Sequence, residues 1–241
     1  MTVAVIIPVL HEGRCLGQTL SHTQALGFDE MIIVDGGSSD DTCAIVQSFV
    51  ESLGTHSSLP PFATRSVRFM TAPRGRARQL NTGAGASGCD VLLFLHADTL
   101  LPANARQALL TALAEAACVG GRFNVRFDSP RLPARVISRL MNLRSRWSGI
   151  ATGDQAIFVR RAVFESLGGF ADIPLMEDIE FTRRLKRAGP LASLPDEVVT
   201  AFRRWEQQGP LRTILLMWTL RFLYWIGVSP HRLQHFYSMV R

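Results

Sequence analysis

The first hundred residues alternate between short apolar runs and longer segments with helical spacing. Continuous apolar runs of this length, rich in β-branched residues, are typical of buried strands. Four of them are present: 3–9 (VAVIIPV), 31–35 (MIIVD), 67–72 (VRFMTA) and 90–97 (DVLLFLHA). Strands that alternate with helices, without hairpin signals, predict an α/β fold with a mostly parallel, Rossmann-like sheet and helices on both faces.

The pattern is less regular beyond residue 120. It predicts a strand over 119–127 (VGGRFNVRF), a basic helix over 135–147 (RVISRLMNLRSRW), a strand, a turn and a helix over 153–170, and a helix over 177–188 that ends at Gly189 and Pro190. Residues 55–66 (THSSLPPFATRS) predict a loop.

Composition limits the compartment and the number of domains. The chain has 241 residues, of which 47% are hydrophobic, so it can form one large domain with or without a C-terminal extension. The four cysteines are scattered without metal-ligand spacing, which predicts a reducing compartment and no zinc. The N-terminus has no basic region before its first apolar run, so no signal peptide is expected and the predicted location is cytoplasmic.

The positive charge is almost entirely arginine. The formal net charge is +6, and Lys186 is the only lysine. Guanidinium groups bind phosphates bidentately, so a phosphorylated substrate is one explanation. A bias of residue usage in the genome is an equal alternative, so only the positions of individual arginines can distinguish the two.

Candidate ligand-binding residues follow the predicted strands. In open parallel sheets, ligands bind beyond the carboxyl ends of the strands. There the chain has Pro8 and Glu12 after the first strand, Asp35 after the second, Arg76 after the third, and His96 and Asp98 after the fourth. Side chains two apart in an extended chain share a face, so His96 and Asp98 are expected to point at one spot. The set suits a nucleotide diphosphate with a metal ion.

Each of these residues also has a structural alternative. Asp35 is expected to accept hydrogen bonds from a ribose hydroxyl or a base N–H, or else to be a turn aspartate. Asp98 is expected to hold Mg²⁺ or Mn²⁺ together with a substrate phosphate, or else to cap the following turn. Arg76 lies near a helix start, where an anion would relieve its conflict with the helix dipole, or else it is solvated.

Two further groups come from the second half of the chain. Glu177 and Asp178 open a predicted helix, and we interpret this pair as the source of a general base for an acceptor hydroxyl. Acidic residues in a first helical turn are also favourable without any catalytic role. Arg203, Arg204 and Trp205 could hold a leaving diphosphate with the indole over a sugar ring, or Trp205 could anchor a loop.

The segment 211–228 (LRTILLMWTLRFLYWIGV) is strongly apolar. Its length is marginal for a membrane span, and Arg221 near a membrane centre costs about 2.5–3.5 kcal/mol. At helical spacing Arg212 and Arg221 fall on opposite sides, which disfavours a one-faced interfacial helix. We therefore expect a helix packed on the rest of the chain or on a second copy in a homodimer, with peripheral membrane contact as the second alternative.

Together these motifs resemble a known family. VIIPVLHE, IIVDGGSSDDT, GRARQLNTGA, LLFLHADT and MEDIEFTRRLKRAG, in that order, are similar to family 2 glycosyltransferases with the GT-A fold. GDQAIFVRR and RRWEQQG more closely resemble the small bacterial subgroup associated with radical-SAM enzymes and arsenosugar biosynthesis. The resemblance implies a GT-A domain over residues 1–205, with a nucleotide-binding half (1–100) and an acceptor half (101–205), followed by a C-terminal helical extension (206–241).

The resemblance also implies an activity. It is the inverting transfer of a sugar from a nucleotide-diphosphate sugar to a hydroxyl group of a small-molecule or lipid acceptor. The implied roles are nucleotide-sugar binding by Pro8, Glu12, Asp35, Arg76, Arg203, Arg204 and Trp205; acceptor contact by Gly153, Asp154 and Gln155; divalent metal binding by Asp98; and catalysis by Asp178 as the base of the Glu177–Asp178 pair.

One position departs from the family pattern. His96 stands where the family's metal motif has its first Asp, and imidazole suits Mn²⁺ better than Mg²⁺. His96 is therefore a candidate metal ligand or a hydrogen-bond donor to a phosphate. The family's Gln before the Arg-Trp pair is also absent, so no polymer product is inferred.

Two rival functions fit less well. A sugar nucleotidyltransferase would need a glycine-rich phosphate loop after the first strand, where this chain has HEGRCLG. A nucleic-acid-binding module would need basic residues clustered on one face with aromatic residues among them, whereas the arginines here are spread along the chain. No nucleic-acid partner is expected.

Overall fold

The computed structural model describes residues 1–55, 64 and 66–240. Most of the loop predicted over 55–66 lies outside the described residues, and so does the side chain of Arg204. The described strands are β1 (Val3–Val9), β2 (Glu30–Asp35), β3 (Ser66–Thr71), β4 (Val91–Phe94), β5 (Thr99–Leu100), β6 (Gly120–Phe127), β7 (Phe158–Arg160) and β8 (Leu191–Thr200).

Helices connect most of these strands. They are α1 (Gly13–Ala25), α2 (Thr42–Thr55), α3 (Arg76–Ala86), α4 (Ala105–Ala112), α5 (Leu132–Ser148), a 3-10 helix (Gly153–Gln155), α6 (Arg161–Ser166), α7 (Glu177–Ala188), α8 (Arg203–Gln208), α9 (Pro210–Trp225) and α10 (Pro230–Val240). The helix predicted over 177–188 is confirmed to the residue, since Gly189 follows its last turn.

All the described strands form one sheet in the order β3-β2-β1-β4-β7-β6-β8-β5. The first four strands along this order are parallel, as predicted from their apolar runs. The second half is mixed: β7 is antiparallel to β4 and β6, β8 is parallel to β6, and β5 is antiparallel to β8. Because β1 and β4 are parallel neighbours, the loops after them leave the sheet at the same edge.

Both faces of the sheet are covered by helices. On one face the odd residues of β1, Val3 to Val9, pack with α1, α2 and α4 in the largest apolar cluster. On the other face Ala4 and Ile6 pack with α3, α6 and α7. This division follows from the alternation of side chains along a strand.

The structure differs from the sequence analysis of the strands at two places. The fourth strand ends at Phe94, and Ala97 and Asp98 form a turn, so strand geometry does not align His96 with Asp98. The long strand β8 was not predicted, because Pro195 lies inside it and a proline removes a ladder hydrogen bond. The sheet accommodates Pro195 with a register shift between Arg122 and Asn124 of β6.

The C-terminal segment folds back on the rest of the chain. Leu216 and Leu220 of α9 and Leu233 of α10 are buried in a cluster with Met176, the residue that precedes α7. A second cluster joins Ile214 of α9 to α5. No helix in residues 1–55 and 66–240 is long and apolar enough to cross a membrane.

Candidate active site

The predicted site residues converge at the edge of the sheet where β1 and β4 end. A pocket at this edge is lined by Arg76 from the start of α3, His96 from the loop after β4, Gly153 from the 3-10 helix, and Glu177 and Asp178 from the start of α7. Leu80, Phe94, Leu95, Ile157 and Phe170 form its apolar wall. Residues from four separate segments therefore share one pocket.

Asp178 occupies a defined orientation in this pocket. Its Oδ2 accepts a hydrogen bond from the backbone N–H of Gly153 at 2.8 Å, and its Oδ1 accepts one from the N–H of Ile179 at 2.7 Å. The N-terminal turn of α7 adds the partial positive charge of its free N–H groups. The two hydrogen bonds hold the carboxylate in one orientation, as a positioned general base requires.

Glu177 lies beside Asp178 and is buried. Its Oε1 is 3.6 Å from Nε of Arg76, which makes a partly buried ion pair. Burial is the main cause that raises the pKa of Glu177, and the negative charge of Asp178 raises it further, while Arg76 opposes both. Arg76 thus bridges the acidic start of α7 and the loop after β4.

His96 is uncharged at neutral pH. Burial and the neighbouring Arg76 cation hold the pKa of His96 well below its usual range. Nη2 of Arg76 donates to Nε2 of His96, so this ring nitrogen uses its lone pair on the guanidinium. A Cβ on Gly153 would lie 2.4 Å from the same ring nitrogen, which shows how closely the 3-10 helix approaches His96.

The 3-10 helix carries the three predicted acceptor residues. Thr152 and Gln155 form a reciprocal capping box around it, and Gln155 is fully buried with its amide near Asn142. Gln155 therefore supports the helix from inside. Gly153 lines the pocket, and Oδ1 of Asp154 is buried with no hydrogen-bond partner among the described residues.

Arg144 of α5 is a site residue that the sequence analysis missed. Burial is the main cause that raises the pKa of Asp154, the charge of Asp178 adds to it, and the cation of Arg144 lowers it. Nε and Nη2 of Arg144 are buried and have no hydrogen-bond partner in the described residues. The only signal in the sequence was helical spacing. Around the axis of α5, Arg144 lies more than a quarter turn from Arg135, Arg139 and Arg146, and so on a different face of the helix.

A second charged group adjoins the pocket. Glu12 lies at the start of α1, and its Oε2 accepts from Sγ of Cys15 at 3.4 Å. Burial is the main cause that raises the pKa of Glu12, the charge of Asp98 also raises it, and Arg203 and Arg76 lower it. The loop after β1, the loop after β4 and Arg203 at the start of α8 are therefore close enough to interact electrostatically.

Asp35 is buried at the end of β2, where Val9 of β1 pairs with it, and Pro8 lies one position earlier opposite Val34. The Asp35 carboxylate accepts from the N–H of Gly37 at 2.8 Å and from the N–H and hydroxyl of Ser38 at 3.0 and 2.5 Å. Burial opposes ionisation, but these hydrogen bonds outweigh it and lower the pKa of Asp35. These contacts match the turn alternative for Asp35.

Trp205 also matches its structural alternative. Its ring stacks on Phe202 at a centroid distance of 6.2 Å and meets Phe127 edge-on at 5.7 Å. Arg203 is exposed next to Trp205, while the side chain of Arg204 lies outside the described residues. The indole packs α8 against β6 of the sheet. The exposed guanidinium of Arg203 is the part of this motif that interacts with Glu12.

The metal prediction depends on Asp98. Within the described ranges, no three or more His, Cys, Asp or Glu side chains are grouped so that they could hold a metal ion by themselves. Oδ1 of Asp98 accepts from the hydroxyl of Thr99 at 3.3 Å. Asp98 thus offers one carboxylate near that of Glu12, whose pKa its negative charge raises.

Comparison with known proteins identifies the fold and the family. The chain is 30% identical over 222 residues to the probable glycosyltransferase YdaM of Bacillus subtilis (strain 168), which covers 86% of this chain and 50% of YdaM. It is 29% identical over 180 residues to a PGL/p-HBAD biosynthesis glycosyltransferase of Mycobacterium bovis, with 69% of this chain and 62% of that protein covered. The chain therefore spans about half the length of the first of these relatives.

Two solved structures share the fold. Mannosyltransferase PcManGT from Pyrobaculum calidifontis, in complex with GDP-Man and Mn²⁺, matches with a TM-score of 0.63 at 21% identity over 83% of this chain and 56% of that chain. S. aureus TarS 1–349, in complex with UDP-GlcNAc, matches with a TM-score of 0.63 at 14% identity over 83% and 58%. The predicted α/β fold of GT-A type is confirmed. Because residues 4–168 match the Glycosyl transferase family 2 profile, the chain belongs to glycosyl transferase family 2.

Proposed function

We propose that this chain is an inverting glycosyltransferase that moves a sugar from a nucleotide-diphosphate sugar to a hydroxyl acceptor. The observation that carries the proposal is the oriented carboxylate of Asp178, which lines a pocket together with Arg76, His96 and Gly153. Family membership supports the reaction type, and YdaM is itself named a probable glycosyltransferase.

In the proposed reaction Asp178 is the general base. The acceptor oxygen attacks the anomeric carbon from the face opposite the diphosphate, the bond from that carbon to the diphosphate oxygen breaks, and the acceptor proton passes to Asp178. The configuration at the anomeric carbon is thereby inverted. Proton transfer to a positioned base contributes typically about 10²–10⁴-fold to the rate.

Arg76 and Arg203 are the proposed contacts to the leaving diphosphate. Negative charge grows on the diphosphate as the bond breaks, and cationic side chains already in place stabilise that charge without reorganisation. Arg76 is oriented by Glu177 and His96, so its guanidinium is held while its remaining donors are free for phosphate oxygens. Glu12 and Asp35 are proposed to lie on the nucleoside side.

The residues fit a divalent cation that arrives with the substrate. Mg²⁺ and Mn²⁺ sites of this kind use one or two protein carboxylates together with substrate phosphates. Asp98 and its neighbour Glu12 can supply the carboxylates. A cation held there would neutralise charge on the departing diphosphate. His96 is proposed to stay a partner of Arg76, because its Nε2 lone pair is engaged by the guanidinium.

The acceptor side is proposed to be the 3-10 helix. Gly153 lines the pocket directly, and Asp154, whose pKa the charge of Asp178 helps to raise, has one oxygen with no hydrogen-bond partner in the described part of the chain. We infer from GDQAIFVRR and RRWEQQG that the chain belongs to the subgroup associated with radical-SAM enzymes and arsenosugar biosynthesis. A hydroxyl of a small-molecule or lipid acceptor would then approach the Asp178 carboxylate from the side of the 3-10 helix.

A panel of UDP- and GDP-sugars tests the proposal. We expect at least one donor to release nucleoside diphosphate, and the matching nucleoside diphosphate to raise the thermal unfolding midpoint. Absence of both effects across the panel contradicts the proposal. Formation of a nucleotide sugar from a nucleoside triphosphate and a sugar 1-phosphate would instead identify a nucleotidyltransferase.

A further inference from the structure

The exposed apolar surface in the described part of the chain is concentrated on α5 and on the C-terminal helices α9 and α10. Among the residues that the structure describes, every exposed large hydrophobic residue except Met1 lies on α5, on α9 or directly after it, or on α10. They are Leu132, Val136, Leu140, Leu143 and Trp147 on α5; Leu211, Leu215, Trp218, Phe222, Trp225 and Ile226 on or after α9; and Phe236 on α10.

On α5 these residues form a continuous stripe. Their spacing of three or four residues places them on one face of the helix, opposite the buried Ala134, Ile137 and Ser145. Arg135, Arg139 and Arg146 are exposed along one border of the stripe. The helix contains no Asp or Glu between Leu132 and Ser148.

On α9 a second stripe has arginines at both borders. Thr213, Leu216 and Leu220 face the protein, so only the opposite side of the helix is exposed. At about 100° per residue, Arg212 lies about 80° to one side of Phe222 and Arg221 about 100° to the other. In the sequence, this opposite placement disfavoured an interfacial helix. Because the inner face of α9 is buried, the two arginines instead border its exposed side.

The two stripes lie on helices whose inner faces share one apolar cluster. Ala134 and Ile137 of α5 and Ile214 of α9 pack in the same small cluster with Phe202 and Trp205. Three of the chain's four tryptophans lie in the stripes, where Trp147, Trp218 and Trp225 are 80%, 70% and 76% exposed. Tryptophan is enriched at membrane–water interfaces, where an apolar ring and a polar N–H are both accommodated.

We propose that α5 and α9 form a docking surface for an anionic lipid bilayer, defined by the two stripes and their bordering arginines. Leucine, phenylalanine and tryptophan side chains would enter the acyl boundary, while the arginines extend to the anionic headgroups. The helices lie on the membrane and do not span it.

Charge decides between a bilayer and a second copy of the chain. Neither α5 nor α9 contains an acidic residue, so two copies joined through these stripes would bring rows of arginine together without carboxylates. Like charges at a protein interface are unfavourable. An anionic lipid surface attracts the same arginines, at about 1 kcal/mol for each one near the surface.

Docking would also place the active site near the membrane. The outer face of α5 carries the stripe, and the same helix presents Arg144 towards Asp154 and Asp178. A bilayer held against the stripe would therefore contact the same helix whose Arg144 reaches the proposed acceptor side. The docking proposal itself does not depend on catalysis, and its test requires no enzyme activity.

The test uses the full chain and vesicles. One set contains equal parts of phosphatidylcholine and phosphatidylglycerol, and the other contains phosphatidylcholine alone. We expect co-sedimentation with the anionic set, and a blue shift of tryptophan emission, since three of the four tryptophans leave water. Added salt should weaken binding, because it screens the arginines.

Variants assign the binding to the stripes. Trp147→Glu and Trp218→Glu should each reduce the bound fraction at least about tenfold, and Arg139→Glu/Arg146→Glu should do so without removing any apolar residue. Gln47→Glu/Ser48→Glu, which adds two charges to exposed positions on α2, is the control and should bind like the wild type. Thermal unfolding shows which variants are folded.

The proposal is overturned if the wild type binds neither vesicle set. It is also overturned if Arg139→Glu/Arg146→Glu binds the anionic vesicles as well as the wild type does. It is equally overturned if analytical ultracentrifugation shows a dimer that Trp147→Glu dissociates while vesicle binding is absent, since the stripes would then be a protein interface.

Discussion

The Asp178 carboxylate accepts a hydrogen bond from the backbone N–H of Gly153, with Oδ2 2.8 Å from the nitrogen. This contact joins the first turn of α7 to the first residue of the 3-10 helix. It leaves the carboxylate oriented from two sides, because Oδ1 is also held by the N–H of Ile179. The proposed base and the proposed acceptor segment are therefore fixed to each other before any substrate binds.

Replacement of Asp178 by Asn tests the base. Asn keeps the size of the side chain but cannot take up a proton, so transfer should fall by about 10²–10⁴-fold while the Kd for the nucleotide changes little. Single-turnover kinetics and calorimetry measure the two effects. Asp172→Asn, at an exposed carboxylate that pairs with Arg78, is the control and should stay active. Transfer at the wild-type rate by the Asp178 variant would show that another group is the base.

Substitution of Gly153 tests how closely the 3-10 helix must approach His96. A methyl group at this position would lie 2.4 Å from Nε2 of His96 and 3.4 Å from Nη2 of Arg76, so these side chains must move. A misplacement of about 1 Å can cost about 10²-fold in rate. We expect Gly153→Ala to lose activity with little change in Tm. Gly85→Ala, with open space around its Cβ, should retain both, and equal activity of the two variants would contradict the assignment.

The part of the fold that the sequence predicted correctly is the part in which local and tertiary preferences agree. The buried strands β1, β2 and β4 are continuous apolar runs, and α7 is closed by Gly189. Strand β8 escaped prediction because Pro195 interrupts its pattern, and the irregularity lies in β8 itself, which has three residues (194–196) where β6 has Phe123 alone. A bulge of this kind depends on a partner strand distant in sequence, which a local pattern does not contain.

Only some residues of the candidate site could be predicted from the sequence. Carboxylates and arginines at strand ends were found because parallel strands place their carboxyl ends together. Arg144 was missed because it looks like one more arginine of a basic helix, and only the packing of α5 turns it inward. Trp205 was given a ligand role by motif, whereas the neighbouring Phe127 and Phe202 determine its environment.

Replacement of Asp98 by Ala tests the cation. If Asp98 supplies the protein ligand for a metal that accompanies the diphosphate, the variant should bind nucleotide sugar more weakly than the wild type in Mn²⁺ or Mg²⁺. In chelator the two proteins should bind equally. Calorimetric titrations with and without metal measure the difference. An equal loss of affinity under both conditions would indicate a direct role of Asp98 without a metal.

Replacement of Arg144 by Met tests the influence of its positive charge on the pKa of Asp154. Arg144 favours the ionised form of Asp154, and its own pKa is lowered by burial and raised by Asp154 and Asp178. A carboxylate that loses a nearby cation has a higher pKa. The pKa of Asp154 should therefore be higher in Arg144→Met than in the wild type, which a carboxyl NMR titration measures. Arg144→Lys keeps the charge and should leave the titration of Asp154 close to that of the wild type, whereas an unchanged titration in Arg144→Met would show that the cation does not act on Asp154.

Asp154 provides a test by pH-dependent stability. Its pKa in the folded protein is raised from 3.8, chiefly by burial, so ionisation is less favourable in the native state than in the unfolded chain. Native stability from this group is therefore present below 3.8 and decreases as pH rises through the folded pKa. Asp154→Asn should accordingly have a higher Tm than the wild type near neutral pH, and the difference should narrow as the solution is acidified.

Asp90 supplies the comparison of opposite sign. Its carboxylate accepts from the N–H and hydroxyl of Thr2, and these hydrogen bonds lower its pKa from 3.8. This group stabilises the native state above 3.8, and the contribution is lost as pH falls through the folded pKa, so Asp90→Asn should have a lower Tm than the wild type near neutral pH. Calorimetric melting curves over a pH series test both variants. If Asp154→Asn melted below the wild type at neutral pH, the buried carboxylate would be stabilised by Arg144 more strongly than burial opposes it.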